Sequence, residues 1–129
     1  MENPPGFSKA TGTESVAMLR VEPLKFWLYG AVANEQSASD AVVLDLSHSR
    51  THLRLSGPMA TTVLNSFLPL DLRESAMPVN TVASSAMHHV GVTLWRSPVG
   101  YELFVPRGFA VSIWELLYET SLQYGLTVE

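Results

Sequence analysis

The chain has 129 residues, a net charge of −4 and no cysteine. That length suits one domain with an ordinary core; the cysteine count excludes disulfides, thiolate catalysis and cysteine-ligated zinc or iron–sulfur sites; and the eight Lys and Arg residues are scattered, without the basic footprint of a nucleic-acid or anionic-membrane binder. Apolar residues make up 47% of the chain and charged residues 16%, against about 25% charged in an average soluble domain, which fits a surface partly covered by a partner.

Residues 1–14 are rich in Pro, Gly, Ser and Thr and are expected to form a flexible or partner-ordered tail before a single α+β domain over 15–129. The N-terminus holds no apolar core segment of a signal peptide. The longest apolar run, Phe26 to Ala33, is too short to span a bilayer. Val16 to Arg20 and Phe26 to Tyr29 read as two short strands broken at Glu22-Pro23. Residues 34–40 read as a loop, and Ala41 to Leu46 as a strand. Thr51 to Ser56 alternates, with Leu53 and Leu55 on one face and His52 and Arg54 on the other.

Gly57-Pro58 ends that strand and opens a helix, because Pro at the first helical position sacrifices no intrahelical bond. Ala60, Val63, Leu64, Phe67 and Leu68 fall on one helical face, and Pro69 closes it. Three strands follow over Thr81 to His88, Gly91 to Arg96 and Tyr101 to Val105, with Gly100 placed at a hairpin turn. A last helix is expected from about Gly108 to Tyr124, with Gly125 as its C-terminal cap. The order implies an α+β two-layer sandwich, a mainly antiparallel sheet carrying two helices.

The last helix has two apolar stripes. Phe109, Ile113, Leu116, Leu117 and Tyr124 form the one expected to face the core, and Val111, Trp114, Tyr118 and Leu122 form a second on its flank. Ser112, Glu115, Glu119 and Gln123 make the polar wedge. The second stripe is either core in a deep sandwich or a contact surface for another chain, and Trp and Tyr are enriched at interface cores.

Candidate chemistry is thin. His48, His52, His88 and His89 lack the spacing of a metal site, with His88 and His89 read as strand neighbours on opposite faces. Asp45, Ser47 and His48 are triad residue types, but neighbours in one strand cannot align as nucleophile, base and orienter. Asp45, Asp71, Glu74 and Glu102 form no evident acid–base pair. Arg50, Arg54, Arg73, Arg96 and Arg107 are available for an acidic surface or for strand ends. No catalytic, cofactor or metal residue is assigned from the sequence.

A linked run of motifs resembles a known family. Asp45 to Arg50 reads D-L-S-H-S-R, Leu53 to Pro58 reads L-R-L-S-G-P, and Pro69 to Leu72 reads P-L-D-L. Val92 to Trp95, Tyr101 to Ala110 (Y-E-L-F-V-P-R-G-F-A) and Trp114 to Leu117 (W-E-L-L) continue it. This run resembles the gamma subunit of bacterial heterotetrameric sarcosine oxidases, with about forty residues before it where longer gamma subunits carry a further N-terminal half. The resemblance implies a fold similar to the folate-binding aminomethyltransferase of glycine cleavage. It also implies a cytoplasmic bacterial complex with alpha, beta and delta subunits, which oxidatively demethylates sarcosine or a related N-methyl amino acid and passes the one-carbon unit to tetrahydrofolate. FAD, FMN, NAD, tetrahydrofolate and zinc would sit in the other subunits, and this chain would be a structural subunit packed mainly against alpha, without nucleic acid or membrane contact. The alternative reading is a stand-alone folate-binding or aminomethyl-transfer protein.

Overall fold

Strand alternation divides Gly100–Pro106 into two faces, with Tyr101, Leu103 and Val105 on one and Glu102 and Phe104 on the other. All five residues from Tyr101 to Val105 are buried, so both faces are covered. In the computed structural model, which describes residues 6, 8–13, 15–30 and 47–125, this strand is central to a four-stranded sheet. Taken in chain order the strands are β1 (Ala10–Gly12), β2 (Ala17–Glu22), β3 (Lys25–Tyr29), β4 (Arg50–Leu55), β5 (Val82–Met87), β6 (Val90–Ser97) and β7 (Gly100–Pro106). The helices are α1 (Ala60–Asn65) and α2 (Ala110–Ser121). The expected loop at 34–40 and strand Ala41 to Leu46 lie outside the described residues.

The main sheet runs β4-β7-β6-β5, all antiparallel. One face carries Leu94, Leu103 and Val105, packed with Val63 and Leu64 of α1 and Ile113 and Leu117 of α2. The expected α+β class and the mainly antiparallel sheet with two helices are both present. A second antiparallel sheet, β1-β2-β3, supplies a further layer. Its Ala17 and Leu19 pack with Val82, Trp95 and Phe104 from the other face of the main sheet. Trp27 and Tyr29 meet the Phe104 ring edge-on, with centroids 5.8 and 5.9 Å apart, an arrangement the ring quadrupoles favour.

Ala10–Gly12 lies inside the stretch expected to be a tail. It forms β1 because its backbone is paired on both sides. Ala10 and Thr11 pair with Leu19 and Met18 of β2. Ala10 N donates to Asn80 O at 2.8 Å, and Val82 N donates to Ser8 O at 2.8 Å. The short side chains carry no strand signal, and the main chain does the joining.

The turns depart from the sequence reading in three places. His88 and His89 are not strand residues on opposite faces; they form the two-residue turn of the β5–β6 hairpin, with φ of 49° and 68°. Positive φ at both turn positions matches the right-handed twist of the flanking strands, and His tolerates that region better than most residues. Gly100 opens β7, and Pro98-Val99 make the β6–β7 turn. Gly57-Pro58-Met59 is a turn, with Ala60 N donating to Gly57 O, so α1 begins two residues after the proline. The regular part of α2 stops at Ser121. Phe109 and Tyr124 therefore lie beyond its ends, 52% and 39% exposed, and do not join the core stripe.

Gly100 is fixed by proximity. A Cβ there would lie 2.6 Å from Leu55 O and 3.0 Å from Ser56 Cβ, so β4 can approach β7 only over a bare α-carbon. Gly100→Ala is expected to destabilise the fold by about 1–3 kcal/mol, the usual cost of overpacking. Urea unfolding should show a lower midpoint at unchanged slope.

Candidate docking face and buried glutamate network

Helix α2 follows a strand that ends in Pro106, whose missing N–H cannot continue a ladder. A single 3-10 turn, Arg107–Phe109, redirects the chain across the sheet. Ile113, Leu117 and Ser121, four apart, then face the core and are buried. The second stripe stays outside: Val111, Trp114, Tyr118 and Leu122 are 70, 41, 40 and 55% exposed. The two aromatic rings are i, i+4 neighbours with centroids 6.1 Å apart. Between this flank and β4 runs a shallow groove of ≈ 40 Å³ lined by Leu53, Leu55, Leu64, Trp114, Tyr118 and Ser121, among others. Of the two readings of the stripe, the structure removes the core one: α2 carries a continuous apolar band on its outside. Exposed Glu115 and Glu119 lie beside that band, and α2 contains no Lys or Arg.

The polar counterpart lies behind the sheet. Glu102 has a fully buried side chain. Arg54 is its direct cross-strand partner, and Arg54 Nε donates to Oε1 at 2.6 Å. His52 Nε2 reaches the same oxygen at 3.0 Å, and Ser97 Oγ donates to Oε2 at 3.0 Å. A carboxylate can only accept, so a neutral His52 carries its proton on Nε2 and its Nδ1 accepts from the Tyr29 hydroxyl at 3.2 Å. His52 also stacks on Phe104, with centroids 5.0 Å apart at 14°. Burial is the largest single influence on Glu102 and pushes its pKa up. The hydrogen bonds from His52, Arg54 and Ser97, with the Arg54 charge, outweigh it and hold the carboxyl below the usual glutamate range. Glu102 thus has donors on both carboxylate oxygens, which favour its ionised form.

The other candidates disperse. Arg73 Nη2 and Nε bind Asp71 at 2.6 and 2.9 Å on the surface. The side-chain hydrogen bond from Arg73 leads in bringing the Asp71 pKa down to about 2, with the Arg73 backbone N–H next. Arg96 Nη1 donates to Met77 O, and its guanidinium lies over Tyr101. Arg107 Nη1 donates to the His48 carbonyl at 3.5 Å. Arg50 lies over Trp27. His48, His88, His89 and Ser47 are exposed, Asp45 is outside the described residues, and among the described residues no three His, Cys, Asp or Glu side chains group as a metal site. No described helix is long and apolar enough to cross a membrane. The sequence missed Glu102 as a centre. Its available signal was the shared face of His52 and Arg54; the register that sets Glu102 opposite Arg54 is not written in either strand alone.

The GCVT N-terminal domain family model matches residues 19–128. A sarcosine oxidase subunit gamma from Arthrobacter sp is 33% identical over 91 residues, covering 70% of this chain and 45% of that protein. One from Corynebacterium sp. (strain P-1) is 40% identical over 65 residues, covering 50% of this chain and 32% of the relative. The chain thus spans less than half the length of these curated relatives. Among solved structures, a chain of the heterotetrameric sarcosine oxidase from Corynebacterium sp. U-96, in complex with pyrrole 2-carboxylate, superposes with a TM-score of 0.81 at 25% identity. The match covers 98% of this chain and 70% of that one.

The glutamate network has a pH signature. A carboxyl whose folded pKa is depressed stabilises the fold above its unfolded pKa and loses that contribution as pH falls through the folded value. Stability should therefore drop as pH is lowered from the ordinary glutamate range downward. Glu102→Gln should remove part of that acid-side slope and cost about 1–3 kcal/mol at neutral pH, read by urea unfolding across pH 3–7.

Proposed function

The chain belongs to the GCVT N-terminal domain family, and from that premise we propose that it serves as a non-catalytic, gamma-type subunit of a heterotetrameric sarcosine oxidase-like complex. The fold match to a chain of such an oxidase, over nearly the whole length of this one, carries the reading. Curated gamma subunits share 33 to 40% identity with this chain over 65 to 91 residues. The alternative of a stand-alone folate-binding or aminomethyl-transfer protein is not favoured by these similarities.

The role is stabilisation by association. The apolar band Val111, Trp114, Tyr118 and Leu122 is the docking face, and its partner is the alpha subunit. Burying it contributes about 25 cal/mol per Å² of apolar surface before association costs are subtracted. Trp114 and Tyr118, the adjacent aromatic pair, are the anchors on which such a contact concentrates. The chemistry is carried by the other subunits, with FAD, FMN, NAD, tetrahydrofolate and zinc held there. The substrate is sarcosine or a related N-methyl amino acid, oxidatively demethylated with transfer of the one-carbon unit to tetrahydrofolate in a bacterial cytoplasm. The buried, ionised and fully bonded state of Glu102 supports a structural part for this chain.

The test is co-purification of the tagged chain from its native host, read by mass spectrometry and visible absorption. A yellow eluate containing a large flavoprotein and further subunits is expected. A colourless, lone chain overturns the proposal. Trp114→Glu and Tyr118→Glu, both at half-exposed positions, should leave the circular dichroism spectrum unchanged and release the chain from the complex. Normal assembly of both variants would remove α2 from the interface.

A further inference from the structure

The two sheets do not close completely on each other. Between them lies a solvent-open cleft of ≈ 220 Å³. Val21 and Trp27 line it from the small sheet, and Ser84 and Thr93 line it from the main sheet. Arg50 and Lys25 border it, with Glu22 beside them. From this juxtaposition we propose that the cleft is a binding site for a small aromatic carboxylate, held through the Arg50 guanidinium.

Three observations define the ligand. Charge comes first. Lys25 Nζ is matched by Glu22 Oε1 at 4.0 Å, an exposed pair. Arg50 has no carboxylate partner among the described residues. Its guanidinium is held over the Trp27 ring, 5.4 Å from the centroid, and stacking of this kind orients the planar group in advance. A fixed guanidinium with free N–H groups matches a carboxylate better than any other small anion except phosphate.

Size and polarity narrow the class. A void of about 150 Å³ accommodates a benzene ring, so this cleft has room for one ring with its carboxylate. The Val21 and Trp27 side chains offer apolar contact to the ring. Ser84 and Thr93, cross-strand partners on the face toward the small sheet, offer hydroxyls for hydrogen bonds at the opposite wall. Trp27 Nε1 is, among the described residues, the buried side-chain nitrogen with no hydrogen-bond partner. That nitrogen is closed off from the open cleft, so the Arg50 guanidinium, lying over the Trp27 ring, supplies the charged donors, and the Trp27 N–H serves as the reporter of the site. None of these residues belongs to the band on α2, so the site is independent of the assembly proposed above.

Sodium benzoate is the probe, and the Trp27 indole N–H resonance of the purified full chain is the reporter, assigned by its loss in Trp27→Phe. Benzoate should shift this resonance saturably, with a Kd on the order of 1 mM for a ligand of this size. Sodium chloride at equal ionic strength should not. Arg50→Gln should weaken binding at least tenfold, and Arg50→Lys, which keeps the charge without the fork, should weaken it less. The Trp95 indole, bonded to Asn80 Oδ1 in the core, reports whether each variant remains folded. If Arg50→Gln disturbs it, Arg50→Lys decides. A non-saturating shift, an equal effect of chloride, or unchanged affinity in the folded Arg50 variant overturns the proposal.

Discussion

A carboxylate closed off from water must find its donors within the chain, and Glu102 sets that requirement for this fold. Its side chain has no exposed surface, so an unmatched charge there would be far costlier than the hydrogen bonds that now hold it. The donors come from two strands of the main sheet. Arg54 and His52 come from the neighbouring strand, Ser97 from the end of β6, and Tyr29 joins through His52 from the small sheet. A slip of β4 by one residue would exchange Arg54 and His52 for Leu53 and Leu55 on this face. Register, hairpin end and sheet packing are therefore tied to one group.

That tie leaves α2 free on its far side. The helix seats on the sheet through Ile113, Leu117 and Ser121, while Val111, Trp114, Tyr118 and Leu122 keep much of their apolar surface exposed. Single exposed apolar residues are ordinary; here four lie along one flank. The internal polar network and the external apolar band thus divide the labour. One holds the register of the domain, and the other stays on its outside.

Much of this was legible from residues alone, and the exceptions share a cause. β2, β3, β5, β6 and β7 were read as strands between turn residues, β4 by its alternation, and the two stripes of α2 followed from spacing. The run Tyr101 to Val105 is buried on both faces, the pattern of a covered strand; its Glu102 was one of four dispersed carboxylates because the sequence does not reveal what packs behind it. β1 was hidden because Ala10–Gly12 is joined through main-chain bonds to residues such as Asn80, which no side-chain pattern records. The His88-His89 turn was missed because the usual signal is Asn-Gly or Asp-Gly, and histidine enters the left-handed region with less advertisement. The cleft at Arg50 depends on how two sheets meet, which is a property of neither sheet's sequence.

The bonds joining Ser8 and Ala10 to Val82 and Asn80 also impose an order of events on a ribosome. The hairpin of β2 and β3 emerges early, but the edges it must meet emerge some fifty residues later. Until then Leu19 and Trp27 have no sheet to cover, and a growing chain in that condition is open to wrong associations. The β5–β6–β7 meander, by contrast, closes through near neighbours and can form as soon as it is made. The natural sequence of assembly is therefore reversed with respect to the chain: the later half builds the platform, and the earlier half returns to it.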